Sequence, residues 1–233
     1  MLNNLKNAIQ TNGFSFMHGD DFKVLLNTEL QDWPTFVKSW DDMPFDEYMA
    51  DGGRYRRRRH AVFSAQHAAI TLEPHQPHYQ ARDYNHLNGG IARLFEPLDH
   101  AVVHGNTMQT LLAFCNQVFS DLGHHQHWHI EAHQFRIEAN NLQHGNPTPE
   151  GVHRDGVDYV LVMMVKRENI SSGTTEMFNL NKQLVGSFTL TQAFDCAFVD
   201  DHQSFHGVTP VEQIDKEKPA FRDVLVLTFK KRT

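Results

Sequence analysis

The chain has 233 residues, 40% of them hydrophobic and 21% charged, with a formal net charge of −7. This is the make-up of an ordinary globular protein, and no Ser/Gly- or Pro-rich linker divides it, so a single domain over 1–233 is expected. The acidic balance excludes a general nucleic-acid binder, which needs a Lys/Arg excess against phosphate. The absence of 18 consecutive apolar residues excludes a helical membrane span.

Met1 to Gln10 is interrupted by Asn3, Asn4, Lys6 and Asn7, so it does not read as a signal peptide. Two cysteines, Cys115 and Cys196, make no disulfide framework, and a cytoplasmic location is expected. Residues 1–125 read as a helix-rich part. Leu2 to Ile9 forms a short helix, Phe14 to Met17 a short strand, and Asp20/Asp21 cap a helix carrying Phe22, Val24, Leu25 and Leu26, with Pro34 opening a further turn. Arg54 to Ala65 reads as a strand, Glu73 to Gly90 as loop, and Thr107 to Leu122 as a helix ended by Gly123, with Leu111, Leu112, Cys115, Val118 and Phe119 at helical spacing.

From residue 126 to 233 the period changes from 3.6 to 2. Trp128, Ile130 and Ala132 alternate with polar residues, and the apolar phase then moves to Phe135, Ile137 and Ala139, which predicts a bulge near His133. Further strands are expected at 159–165, 175–179, 187–190, 197–199, 207–211 and 224–229. Short strands after a helical stretch predict a mostly β protein with flanking α: a jelly roll, cupin-like, with N-terminal helices packed on one sheet.

The chemistry concentrates in Pro149-Glu150-Gly151-Val152-His153-Arg154-Asp155-Gly156. On a strand, the two-residue period points His153 and Asp155 to one face. With 17 His and 17 Asp in the chain, about one His-x-Asp arises by chance, and His18-Gly19-Asp20 is such a decoy before a helix. The second pair is distinguished by its β-rich setting and by His206, 51 positions after Asp155 and just before a predicted strand. Two imidazoles and a carboxylate on one face of an ion leave the opposite positions open, as non-haem Fe(II) oxygenases require. Arg222, 16 residues beyond His206 at the head of an apolar strand, suits the distal carboxylate of a co-substrate with two carboxylates, whose other end chelates the metal.

The stretch from Phe135 to Phe229, with Pro-Glu-Gly-Val-His-Arg-Asp-Gly at 149–156, His-Gly-Val-Thr-Pro at 206–210 and Arg-Asp-Val-Leu at 222–225, resembles the bacterial L-isoleucine dioxygenase-like family. The resemblance implies a double-stranded β-helix with His153, Asp155 and His206 holding Fe(II) and Arg222 anchoring 2-oxoglutarate. It further implies O2-dependent hydroxylation of a C–H bond of a free L-amino acid, with release of succinate and CO2. No protein nucleophile is needed, and no Gly-x-Ser-x-Gly turn is present.

For the substrate, one pair of the run Arg56 to Arg59 would face inward, naming Arg56 and Arg58; Arg136 and Glu176 are the other candidates. The histidines between 124 and 133 read as a polar face, because no closed zinc set accompanies them. Two other readings fit the residues: a jelly-roll isomerase or hydrolase using the same triad, and a metal-free binding module on that fold.

Overall fold

The structure, a computed structural model, describes residues 1–232. The helices are α1 (Leu2–Asn12), α2 (Gly19–Leu26), α3 (Trp33–Lys38), α4 (His100–Val103) and α5 (Asn106–Gly123). The strands of the first half are β1 (Phe14–Met17), β2 (Arg56–Gln66), β3 (Ala69–Leu72), β4 (His78–Tyr79), β5 (Ala92–Arg93) and β6 (Glu96–Pro97). The second half adds β7 (His127–Ala139), β8 (Tyr159–Glu168), β9 (Ile170–Ser172), β10 (Thr174–Phe178), β11 (Leu184–Thr189), β12 (Cys196–Asp200), β13 (Phe205–Val208), β14 (Val211–Gln213) and β15 (Ala220–Lys231).

One eight-stranded sheet runs β1-β12-β8-β15-β7-β2-β3, with β6 added to β2. Facing it are the small sheets β11-β10-β13 and β14-β9. The arrangement is mostly β with a jelly-roll core, and the helices cover one face of the large sheet. Strand alternation explains the two faces. Ala61, Phe63, Trp128, Ile130, Leu161, Met163, Leu225 and Leu227 turn to the helices and bury with Leu5, Phe22, Leu111 and Phe119 in one core. Phe119 stacks on Tyr159 at 4.9 Å and meets Phe229 edge-on at 5.0 Å. The opposite face carries Val162, Val224 and Val226 toward a cavity.

Three sequence expectations are corrected. Strand β7 runs without a bulge, in unbroken register with both β2 and β15. Both of its faces are buried, and what changes near His133 is which face carries the polar residues: His129, Glu131 and His133 line the cavity, while Gln134 on the helix side donates to Ser39 Oγ at 2.7 Å. The bulge lies instead between β15 and β8, at Asp223/Val224. Helix α2 begins at Gly19, and its first amide donates to Asp195 Oδ1 at 2.9 Å, so the capping carboxylate comes from a distant loop and not from Asp20. A Cβ on Gly19 would sit 2.3 Å from the Ala193 carbonyl oxygen, which is why this approach needs glycine. At the end of α5 the left-handed residue is His124 (φ 47°), with Gly123 still helical.

No helix among the described residues is long and apolar enough to cross a membrane.

Candidate metal centre and its cavity

The segment after β7 returns along the edge of the small sheet and makes a reciprocal backbone pair with β13. His153 N–H donates to the His206 carbonyl and His206 N–H to that of His153, both at 2.9 Å. This sets the two rings 4.6 Å apart between centroids. Asp155 follows on the same face, with Oδ1 3.6 Å from His153 Nε2 and Oδ2 3.7 Å from His206 Nε2. The turn beneath it is gathered by the Asp201 carboxylate, which accepts the amides of Asp155 and Gly156 at 2.8 Å and of Val157 at 3.2 Å. Gly156 adopts φ +80°, and a Cβ there would strike the Tyr84 ring at 2.5 Å, so only glycine turns the chain here.

The donor set suits a divalent transition metal. One atom each from His153, Asp155 and His206 lies within 4.8 Å of the others. His153 Nδ1 sits 3.0 Å from the Gly151 carbonyl, so it carries a proton and Nε2 is the atom turned toward the other two groups. Burial works against a charged His153, but the negative charge of Asp155, with Glu150 behind, more than offsets it and raises the pKa to about 9, so without an ion the ring holds a second proton that a metal has to displace. Burial and the neighbouring His153 push His206 down to about 4. Burial disfavours the Asp155 carboxylate, yet its two imidazole partners hold its pKa below the ordinary range. Three ligands of this kind on one side of an ion leave positions open toward the cavity.

The cavity has a volume of about 450 Å³ and is lined by all three of these residues, by Arg222 and by the β4–β5 hairpin. Arg222 is 2% exposed, and its Nε and Nη1 are buried without a protein partner. Burial, with Arg167 nearby, lowers its pKa to about 10. An uncompensated, buried guanidinium at the wall of a cavity fits the carboxylate of a bound ligand.

Of the four residues named for substrate, the structure brings two to the cavity. Arg56 and Arg58 face it, while Arg57 pairs with Glu138 and Arg59 with Glu96 and Asp99 outside. Arg136 is not in the cavity; it lies on the helix-facing side of β7 and forks onto Asp223 at 2.7 and 2.8 Å, with Asp41 at 3.1 Å. Glu176 is likewise outside, because its neighbours Thr175 and Met177 are the inward residues of β10, facing Val208 and His206. His202 bonds Asp158 at 3.1 Å and takes no part in the triad.

Sequence reasoning missed Glu131, Glu150, His60, His78 and Arg93. Glu131 is ringed by imidazoles: its Oε2 is 2.5 Å from His78 Nδ1, 3.3 Å from His133 Nε2 and 3.8 Å from His60 Nε2, and its Oε1 is 3.3 Å from His129. The signal for this cluster was the run of polar residues at odd positions on a strand whose even positions are apolar. Its other members come from β2 and from a two-residue strand that no periodicity reveals.

Comparison with known proteins gives a consistent result. A family model described as 2OG-Fe dioxygenase matches residues 37–228. The chain is 25% identical over 230 residues to 3(1)-hydroxy-L-isoleucine 4-dioxygenase of Pantoea ananatis, covering 94% of this chain and 92% of that one. It is similar to the crystal structure of a bsmA homolog from Methylobium petroleophilum PM1, with TM-score 0.90 and 34% identity over 99% of this chain and 93% of the other. The structure of IDO from Bacillus thuringiensis aligns over the whole of both chains with TM-score 0.83 at 16% identity, a likeness of fold.

Proposed function

The chain belongs to the 2OG-Fe dioxygenase family, and on that premise we propose that it hydroxylates a C–H bond of a free, aliphatic L-amino acid at the centre formed by His153, Asp155 and His206. As a family member it is an oxidoreductase that uses Fe(II), 2-oxoglutarate and O2. The observation that carries the proposal is the meeting of that triad and the unpartnered Arg222 guanidinium in one cavity whose remaining walls include Val162, Val224, Val226 and Phe135. The amino-acid reading is supported by two relatives named for action on isoleucine or its hydroxylated form, of which L-isoleucine-4-hydroxylase of Bacillus thuringiensis is 22% identical over 161 residues.

Each group has a distinct task. When bound, the iron and co-substrate supply the oxidising chemistry, with 2-oxoglutarate leaving as succinate and CO2. The His153 Nδ1–H bond to Gly151 keeps Nε2 available as a ligand. Arg222 takes the distal carboxylate of 2-oxoglutarate in a two-pronged pair and thereby sets its keto-acid end toward the triad. The apolar wall beside Val224 and Val226 keeps water from the C–H bond to be attacked. Because β2 lies between β7 and β3 in the large sheet, residues 1–233 are read as one folding unit. Two buried, unpaired cysteines, Cys115 and Cys196, support a cytoplasmic location.

Anaerobic addition of Fe(II) and 2-oxoglutarate tests the centre: a weak visible charge-transfer band is expected, and a metal-loaded protein without it would sink the assignment. Succinate release measured against a panel of free L-amino acids tests the substrate. An aliphatic member is expected to stimulate turnover well above the uncoupled rate, and failure of every member would reject the amino-acid reading.

A further inference from the structure

The cavity holds charged groups that the metal and 2-oxoglutarate do not use. Arg56 is neutralised by Asp46 at 2.8 Å. Arg58 and Arg93 are not: among the described residues neither makes an ion pair, they are 4% and 1% exposed, and the Nε of each is buried with no partner. Arg58 is fixed in place instead, between the rings of Phe95 at 3.9 Å and Phe135 at 4.6 Å, with Nη2 on His133 Nδ1 at 3.1 Å. On the acidic side, Glu150 has an 8% exposed side chain whose Oε2 is buried without a partner, while Oε1 has Asn85 Nδ2 at 3.3 Å and His153 Nε2 at 3.5 Å.

The histidine-ringed Glu131 explains why Arg58 remains free. A guanidinium only donates, so His133 Nδ1 accepts from Arg58, and the ring proton sits on Nε2, pointing at Glu131. The carboxylate of Glu131 is thus taken up by imidazole donors and reaches Arg58 only through the His133 ring. Setting aside Asp155, Arg222 and the exposed Lys230, the unspent charges of the cavity are two guanidinium groups and one carboxylate, with the occupied Glu131 balancing the sum to zero. A net-neutral ligand carrying one anionic and one cationic group matches that pattern; a dicarboxylate, a diamine or a peptide-bonded residue does not.

The geometry points to a zwitterion clamp, in which Arg58 and Arg93 receive the α-carboxylate of the substrate and Glu150 receives its ammonium group beside the metal ligand His153. This assignment rests on the amino-acid reading above and adds the residues that enforce it. Arg93 reaches the site because β5 pairs with β4, opposite His78, so the strand pair that lines the cavity there carries half of the carboxylate pocket. Hydroxylation is confined by this clamp to the side chain, which is left to lie along the valine wall near the triad.

The test is anaerobic calorimetry on the Fe(II)- and 2-oxoglutarate-loaded enzyme with L-isoleucine, L-leucine and L-valine, then with the α-hydroxy acid and the carboxamide analogue of the tightest binder. The wild-type enzyme is expected to prefer the amine over the hydroxy acid by at least about 100-fold, since the analogue leaves the Glu150 charge unpaired. Glu150→Gln is expected to bring that ratio to within about threefold of unity, and Arg93→Met to erode the preference for carboxylate over carboxamide by about tenfold or more. A wild-type enzyme that binds amine and hydroxy acid equally overturns the clamp without recourse to any variant. So does an amine preference that survives Glu150→Gln. Should none of the three amino acids bind, the amino-acid reading itself fails and the clamp with it.

Discussion

Two clusters in one cavity have nearly the same composition and opposite character. His153, Asp155 and His206 offer ligand atoms within 4.8 Å of one another, and so do His60, His78, Glu131 and His133. In the first, the imidazole nitrogens stand 3.6 and 3.7 Å from the carboxylate, too far for a hydrogen bond, and a backbone carbonyl behind His153 engages Nδ1, leaving Nε2 as the nitrogen that can bind an ion. In the second, the carboxylate is closed by direct contacts of 2.5 and 3.3 Å, and Arg58 behind His133 forces the proton onto the nitrogen that faces Glu131. The group behind the ring, more than the number of histidines, separates a cluster with ligand nitrogens to offer from a closed hydrogen-bond network.

The sharpest way to break this contrast is to titrate iron. His206→Ala is expected to lose turnover by well over 100-fold, more than the loss of an outer hydrogen-bond partner of a metal ligand brings, and to lose iron uptake with it. Glu131→Gln and the wild type should both saturate at one equivalent per chain; a second equivalent in the wild type, abolished in Glu131→Gln, would make the two clusters alike. Arg222→Leu should raise KM for 2-oxoglutarate by about 30-fold or more, the scale of truncating one side of a buried charge pair, with iron uptake retained. Glu131→Gln should act more gently, raising KM for the amino acid by about tenfold with little change in kcat, because it loosens His133 and through it Arg58.

The smallest effect concerns pH. Burial, against the Glu131 hydrogen bond, lowers the His78 pKa to about 4 from its ordinary value of 6.5, and burial pushes His60 and His133 the same way. Between those two values the unfolded chain binds protons that the folded one refuses, so stability declines as pH falls from 6.5 toward 4. Glu131, held below the usual carboxylate range, adds its own loss only once the pH passes under about 4.5. Urea midpoints measured across this window should shift less in His78→Asn than in the wild type.

The meeting of His153, Asp155 and His206 was legible from the two-residue spacing and the distant histidine, although the first two lie outside any strand, His153 held only by an isolated bridge to His206 in β13. That Arg222 would share a cavity with these residues was legible from its order after His206 and its place at the head of an apolar strand. Of the proposed clamp only Arg58 was legible, since Glu150 sits in an irregular segment and Arg93 in a strand of two residues; the network behind Arg58 was not, because His60 and Glu131 lie on strands that meet only when β2 pairs with β7. The fold class followed from the change of period after residue 126. The mistaken bulge at His133 came from assuming that a strand has one buried face, when in β7 the helices bury one side and the cavity the other. Arg136 and Glu176 failed for the reason that alternation gives no sign of which half of a strand's residues turns inward.

The reciprocal backbone pair of His153 and His206, reinforced by the grip of Asp201 on the amides of 155–157, has a consequence for loading. Both segments are tied by main-chain bonds that owe nothing to an ion, so their side chains are held together whether or not a metal is bound. Amide hydrogens at positions 153 and 206 should therefore exchange equally slowly in apo and iron-loaded enzyme, and chelation should remove activity while leaving that protection intact.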